Sequence, residues 1–238
     1  MWFLNKVQVF KEQIPLRLWL EDEAQFDNFY AGAKNKELLA YLQSNEPDLL
    51  YLYGSTSVGV SHLLIAISKR AEASGRTAQY VPLKELLDAA PAEILRQLNQ
   101  LDLLCLDDLD LVADSESWQV EILHLFNRLR EQGTHFVFGG HSAPTELQIG
   151  LADLRSRVLS GQTWALTELE DADKLLALKH RSALRGFNLA DNVARYLLGH
   201  QQRDMSHLMN LLDRLDRLSL EEKKLITLPL VKQLIESS

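Results

Sequence analysis

Only one cysteine, Cys105, occurs in the 238 residues, so no disulfide framework and no metal site of the cysteine type can form within the chain. That usage fits a reducing cytosol. Long apolar runs are missing too; none approaches the ~20 residues that a membrane-spanning helix needs, and no membrane partner is expected. Dense runs of lysine and arginine are absent, and 33 acids outweigh 25 bases for a net charge of −8. Such a chain has no overall field to draw it onto DNA or an anionic membrane, so direct sequence-specific DNA binding is not expected. The start, Met1-Trp2-Phe3-Leu4-Asn5-Lys6, has no charged segment leading into an apolar stretch with a small-residue cleavage site. It does not read as a secretory signal, and a cytoplasmic location is expected.

What is present is an ordinary globular balance, 46% hydrophobic and 24% charged, which argues against disorder. Residues 1–30 read as an irregular tail, and 33–44 can form a helix. Leu49-Leu50-Tyr51-Leu52-Tyr53 lies between Pro47 and Gly54 and reads as a buried strand. Helical patterning over 62–73 follows, and the alternation then repeats. Strands are predicted at 79–81, 103–106, 135–138 and 163–166, and helices at 83–88, 92–98, 118–131 and 151–158. Strands alternating with helices mean an α/β fold with a parallel sheet. Beyond about residue 168 only helical patterns remain, at 171–185, 191–200, 204–218 and 229–236. The expected organisation is a tail over 1–30, a sheet domain over 31–168 and a small helical domain over 169–238.

The first strand runs into Gly54, Ser55, Thr56, Ser57, Val58, Gly59, Val60 and Ser61, and His62 opens the following helix. This is the phosphate-loop framework G-x-x-x-x-G-K-[ST] in its strand–loop–helix setting, where backbone N–H groups and a helix N-terminus cradle phosphate oxygens. Ser61 stands where a hydroxyl ligates Mg²⁺. Val60 stands where the lysine belongs and cannot neutralise phosphate charge. The strand 103–106 ends in Asp107 and Asp108, about 50 residues on. In phosphate-loop proteins the first such carboxylate holds Mg²⁺ and the second polarises the attacking water. Cys105, inside that strand, reads as a small buried hydrophobe.

Taken in order, the phosphate loop, the Asp107-Asp108 strand end, Asp153-Leu154-Arg155-Ser156-Arg157-Val158 and the helical C-terminal part resemble the AAA+ family of the replication initiator DnaA. The short regulatory branch of that family, the DnaA inactivator Hda, is the nearer likeness. Leu184-Arg185-Gly186-Phe187-Asn188-Leu189 and Asp213-Arg214-Leu215-Asp216-Arg217 are similar to the Hda lid. The resemblance implies an AAA+ sheet domain with a helical lid. It makes Arg157 an arginine finger reaching ATP on a neighbouring subunit, and nucleotide-contacting residues of Gly54–His62, Asp107 and Asp108. Gln13, Ile14, Pro15, Leu16, Arg17 and Leu18 are similar to the hexapeptide by which Hda docks on the β sliding clamp of DNA polymerase III, with Gln13, Leu16 and Leu18 as anchors. No counterpart of DnaA's DNA-binding domain is expected.

The departures from the family pattern sit at phosphate-contacting positions: Val60 for the lysine, Phe138-Gly139-Gly140 without a polar sensor, and Ser206 where the lid's sensor arginine is expected. The resemblance therefore implies a poor or inactive ATPase that stimulates hydrolysis of DnaA-bound ATP and so inhibits reinitiation of DNA replication. DnaA and the clamp are its partners. ADP is held weakly or not at all, with Mg²⁺ (through Ser61 and Asp107) only alongside it. A homodimer is left open. The alternatives are a relative that only tethers its partners, or a nucleotide-driven AAA+ ATPase of the helicase-loader type.

Overall fold

The computed structural model describes residues 24–44, 47–88, 90–201 and 203–236. Five parallel strands, β1 (Leu49–Tyr53), β2 (Ala78–Pro82), β3 (Leu103–Asp107), β4 (His135–Gly140) and β5 (Gln162–Ala165), form one sheet in the order β2-β3-β4-β1-β5. Helices α1 (Lys36–Ser44), α2 (Val60–Ala73), α3 (Pro91–Leu95), α4 (Glu116–Arg130) and α5 (Ala152–Leu159) intervene between or precede the strands.

Parallel strands need crossover helices, and those helices cover both faces, which is why the strands are apolar at nearly every position. On one face Tyr51, Leu104, Leu106, Phe136 and Phe138 pack under α4 and α5, with Trp118, Ile122, Leu125, Leu129, Leu154 and Val158. On the other, Leu50, Leu52, Leu103, Cys105 and Val137 pack under α1 and α2, with Leu42, Leu63, Leu64 and Ile67. Cys105 is fully buried, as its reading as a hydrophobe requires, and that burial holds its thiol well above the usual range. The edge strand β5 is mostly exposed.

All five predicted strands form, with β2 and β4 each two residues longer than expected. Helix α2 starts two residues early, at Val60, because Gly59 turns left-handed (φ 107°) and becomes its N-cap. Residues 83–88 hold a 3-10 turn, Leu83–Leu86, and 91–95 a short helix started by Pro91.

After β5 the chain is helical: α6 (Asp171–Leu184), α7 (Asp191–His200), α8 (Met205–Glu222) and α9 (Leu228–Glu236). Their shared core is Leu178, Leu189, Val193, Leu197, Leu208, Leu211, Leu212, Leu215 and Val231. Arg185, just past α6, pairs with Asp213 (2.6 Å) and Asp216 (3.5 Å) of α8, so the two stretches likened to the lid meet through Arg185. Among the described residues no helix is long and apolar enough to cross a membrane.

Candidate functional site

In a parallel sheet all strands end at one edge, and here that edge gathers the phosphate loop after β1, the two acids after β3 and the glycines of β4. Gly54 and Gly59 are required by shape. A Cβ at Gly54 would come within 2.6 Å of the Leu166 carbonyl oxygen, and one at Gly59 within 2.7 Å of the Phe29 ring. Ser57 also lies left-handed, with φ 67°. The loop thus keeps the turned backbone and the helix end that favour anions. Val60 is 9% exposed and faces Leu64 and the strand end at Gly139, inside the apolar layer.

Asp107 shares a sheet face with Cys105 and is 2% exposed. Its Oδ2 accepts from the Tyr80 hydroxyl at 2.8 Å and its Oδ1 from the Asp108 backbone N–H at 3.0 Å. Ser61 lies beside the same phenol. Burial, then the charge of Asp107, push the Tyr80 hydroxyl far above its ordinary range, so it stays protonated and donates. Gly139 makes room for this arrangement: a Cβ there would overlap the Asp107 carboxylate. The glycines that the sequence presents as a lost polar sensor therefore have a packing reason, and Gly140 likewise leaves space for the Tyr51 hydroxyl and Asp110.

Asp108 adopts φ 58°, a left-handed position that short polar side chains tolerate. Burial, and next the charge of Asp107, raise its carboxyl to about 6, with His141 and Lys84 pulling the other way. His141 directly follows the glycines; its Nδ1 is 3.0 Å from Asp110 Oδ2 and its Nε2 3.9 Å from Asp108 Oδ1. A polar ring does stand at the strand end, one residue beyond Phe138-Gly139-Gly140. Tyr80 was also missed. Its register opposite Cys105, which lets its hydroxyl reach Asp107, is a product of strand pairing.

A cleft of about 290 Å³ opens between loop and lid, lined by Ser55–Val58, Glu168, Leu169, Asp204 and Met205. No lining residue is cationic. Ser206 sits exposed in the first turn of α8 beside this lining. Gly54, Gly59, Val60, Ser61, His62, Asp107 and Asp108 do not line the cleft. His62 instead places Nε2 2.9 Å from the Gln25 carbonyl oxygen. The turned backbone of the loop and the N-terminus of α2 are features that favour phosphate oxygens. Ser61 and Asp107 fit a metal only where a diphosphate supplies further oxygens, since no cluster of three carboxylate, imidazole or thiol ligands stands among the described residues.

Arg157 occupies a different region. The parallel topology makes α5 run from the loop edge of the sheet back to the opposite edge, where β5 begins, and Arg157 is in its last turn. The side chain is exposed, with its guanidinium 6.0 Å from the Phe126 ring centre. Among the described residues no carboxylate pairs with it. Residues 13–18 lie outside the described residues.

A family model of the bacterial DnaA ATPase domain matches residues 20–165. The chain belongs to that family. A model of the lid domain of Hda matches residues 171–235 and covers all four C-terminal helices except the last residue of α9. Among solved structures, domain III of the Thermotoga maritima replication initiation protein DnaA has a TM-score of 0.75 at 20% identity, over 92% of this chain and 98% of that one. AMPPCP-bound DnaA from Aquifex aeolicus has a TM-score of 0.68 at 22% identity, over 84% and 67%. The Holliday junction branch migration motor RuvB of Thermotoga maritima has 0.62 at 18%, over 90% and 73%. At these identities the likenesses show a common fold: a DnaA-like AAA+ sheet domain with a C-terminal helical lid.

Proposed function

We propose that this DnaA-family protein acts on DnaA-bound ATP and does not turn over ATP itself. Bound to the sliding clamp by Gln13–Leu18, it sets Arg157 against the γ-phosphate of ATP held by DnaA. A guanidinium there stabilises charge that develops in the transition state. DnaA passes to its ADP form and reinitiation of replication is suppressed. Residue 168 serves as the boundary between the sheet domain and the lid, and the protein works in the cytoplasm.

The observation that supports this reading is the separation in space of Arg157 from the chain's own loop. Arg157 is exposed and unpaired by any described carboxylate, near the sheet edge away from the chain's own loop. It is free to meet a nucleotide on another molecule, and its helix leads it away from the loop of its own.

The chain's own cradle supports a lesser role. Backbone N–H groups of Gly54–Ser61 would hold a diphosphate, and Ser61 and Asp107 would be the residues to hold any Mg²⁺ it brought. Such a metal would screen the charge of the phosphates. Asp108, with its carboxyl near 6, keeps the basicity of a proton acceptor, yet no cation at Val60 or Ser206 draws a phosphate chain into line with it. Slow or absent turnover follows.

The test is hydrolysis of DnaA-bound ATP with this protein, with and without DNA-loaded clamp. Stimulation only when both are present supports the reading. Absence of stimulation in every arm refutes it and leaves the tether-only alternative. ATP turnover by the chain alone would instead favour a nucleotide-driven ATPase.

A further inference from the structure

The lining of the cleft between loop and lid carries Glu168 and Asp204 and no cation, so a phosphate chain bound there would have no charged bridge from sheet domain to lid. The lid is nevertheless tied to the sheet domain by contacts that need no ligand. Most come from one segment, residues 24–35, whose side chains and carbonyls turn to one partner and then the other.

On the sheet-domain side, Phe29 seats its ring on Gly59, 5.4 Å from the His62 ring, and Arg70 lies 5.0 Å over Phe26. His62 Nε2 meets the Gln25 carbonyl at 2.9 Å; a carbonyl only accepts, so Nε2 carries the proton and donates. On the lid side, His180 of α6 donates through Nε2 to the Asp27 carbonyl at 2.9 Å, and the Tyr30 hydroxyl faces Asp173 at 3.5 Å. Between them, Asn35, 3% exposed, closes two hydrogen bonds on the Thr167 backbone, at 2.8 and 2.9 Å. Gly32, with φ 60°, lets the chain pass so close to Leu169 and Asp173 that a Cβ would come within 2.7 and 2.9 Å of them. From inside the lid, the buried Lys174 ammonium reaches back to Glu168 at 2.7 Å and to the Arg203 carbonyl at 2.9 Å.

We propose that residues 24–35, together with Lys174, form a clasp that fixes the lid against the sheet domain without nucleotide. Position of the lid, which in a nucleotide-gated protein follows the occupant of the cleft, is here set by the protein's own hydrogen bonds. The finger-bearing face is then presented in one arrangement at all times, and control of the protein passes to its partners.

The clasp is tested on the full chain alone, so its outcome is independent of whether Arg157 acts on DnaA. Spin labels at Glu72→Cys on α2 and Arg217→Cys on α8, both exposed, report the distance between sheet domain and lid; the native Cys105 is fully buried and stays unlabelled. A single narrow distance, unchanged by millimolar Mg-ADP, is expected. Loosening the clasp by His180→Ala with Tyr30→Phe, or wedging it by Gly32→Ala, adds a second population, while circular dichroism shows retained helix content. A distribution in the parent chain that narrows or shifts with Mg-ADP overturns the proposal. So does a folded clasp variant of either kind whose distribution matches the parent's. Should both variants fail to fold, the nucleotide arm on the parent decides by itself.

Discussion

The loop edge of the sheet and the last turn of α5 have met opposite fates in this chain. At the loop edge the turn is kept and the acids remain, but the lysine position holds no cation: Gly59 turns, α2 presents its N-terminus, and Val60 is buried where a cation would face phosphate. At α5 nothing in the scaffold marks the spot, yet Arg157 stands exposed and available. The difference separates architecture from chemistry. The turned loop has a packing reason of its own, since Gly54 lies against Leu166 and Gly59 against the Phe29 ring. Arg157 is exposed, with its guanidinium 6.0 Å from the Phe126 ring centre, and the proposed function rests on that exposure.

The sharpest way to break the comparison is Arg157→Ala. Arginine fingers supply about 10³–10⁵ in rate, so stimulation of DnaA should vanish, with melting temperature and clamp binding unchanged. Undiminished stimulation would sink the assignment. The converse test restores the loop. Val60→Lys with Ser206→Arg adds two charge-assisted hydrogen bonds of roughly 1.5–3 kcal/mol each, an increase in ADP affinity on the order of 10²–10⁴ by calorimetry. A lysine stem is apolar enough to follow the buried path of Val60 while its ammonium reaches out. If affinity stays flat, the missing charges were not what weakened the site.

A smaller effect is expected from Gln13→Ala with Leu16→Ala and Leu18→Ala. Clamp affinity should fall about tenfold or more, as loss of pocket anchors does, with no change in melting. A large drop in melting temperature would place these residues in the fold instead. Smallest is Asp108→Asn. The folded carboxyl sits near 6, above the ordinary carboxylate range, so the native state binds the extra proton. Its stabilisation is complete below the unfolded pKa, about 3.9, and is lost as pH rises through 6. Asparagine keeps the left-handed backbone and removes the charge. It should raise stability at pH 7–8 by about 1–2 kcal/mol after allowance for solvent screening, and by nothing near pH 4. Melting curves at the two pH values check this.

Much of the fold was legible because the strands are short apolar runs bracketed by proline or glycine, as Leu49–Tyr53 is by Pro47 and Gly54. The candidate cradle and the Asp107-Asp108 strand end were legible for the same reason: their spacing is tied to strand–loop–helix order. Harder to read were side chains that act only through tertiary contact. Tyr80 looked like any strand tyrosine until pairing set it opposite Cys105, two residues short of Asp107. His141 fell just outside the strand end. Residues 24–35 read as tail and early helix because their bonds run to Thr167, Asp173 and His180, well over 100 positions away. The early start of α2 went unread because glycine at an N-cap looks the same as glycine in a loop.

The placement of Arg157 at one edge of the sheet and the phosphate cradle at the other gives the subunit a head and a tail. Units joined head to tail build rings or open filaments, since each contact leaves a further one to be made. A subunit whose head can serve a neighbour but whose own cradle offers a neighbour's arginine little to act on makes only the first of those contacts productively. On the proposed function, such a chain set against a row of DnaA molecules would be an end piece, able to join the row and unsuited to extending it.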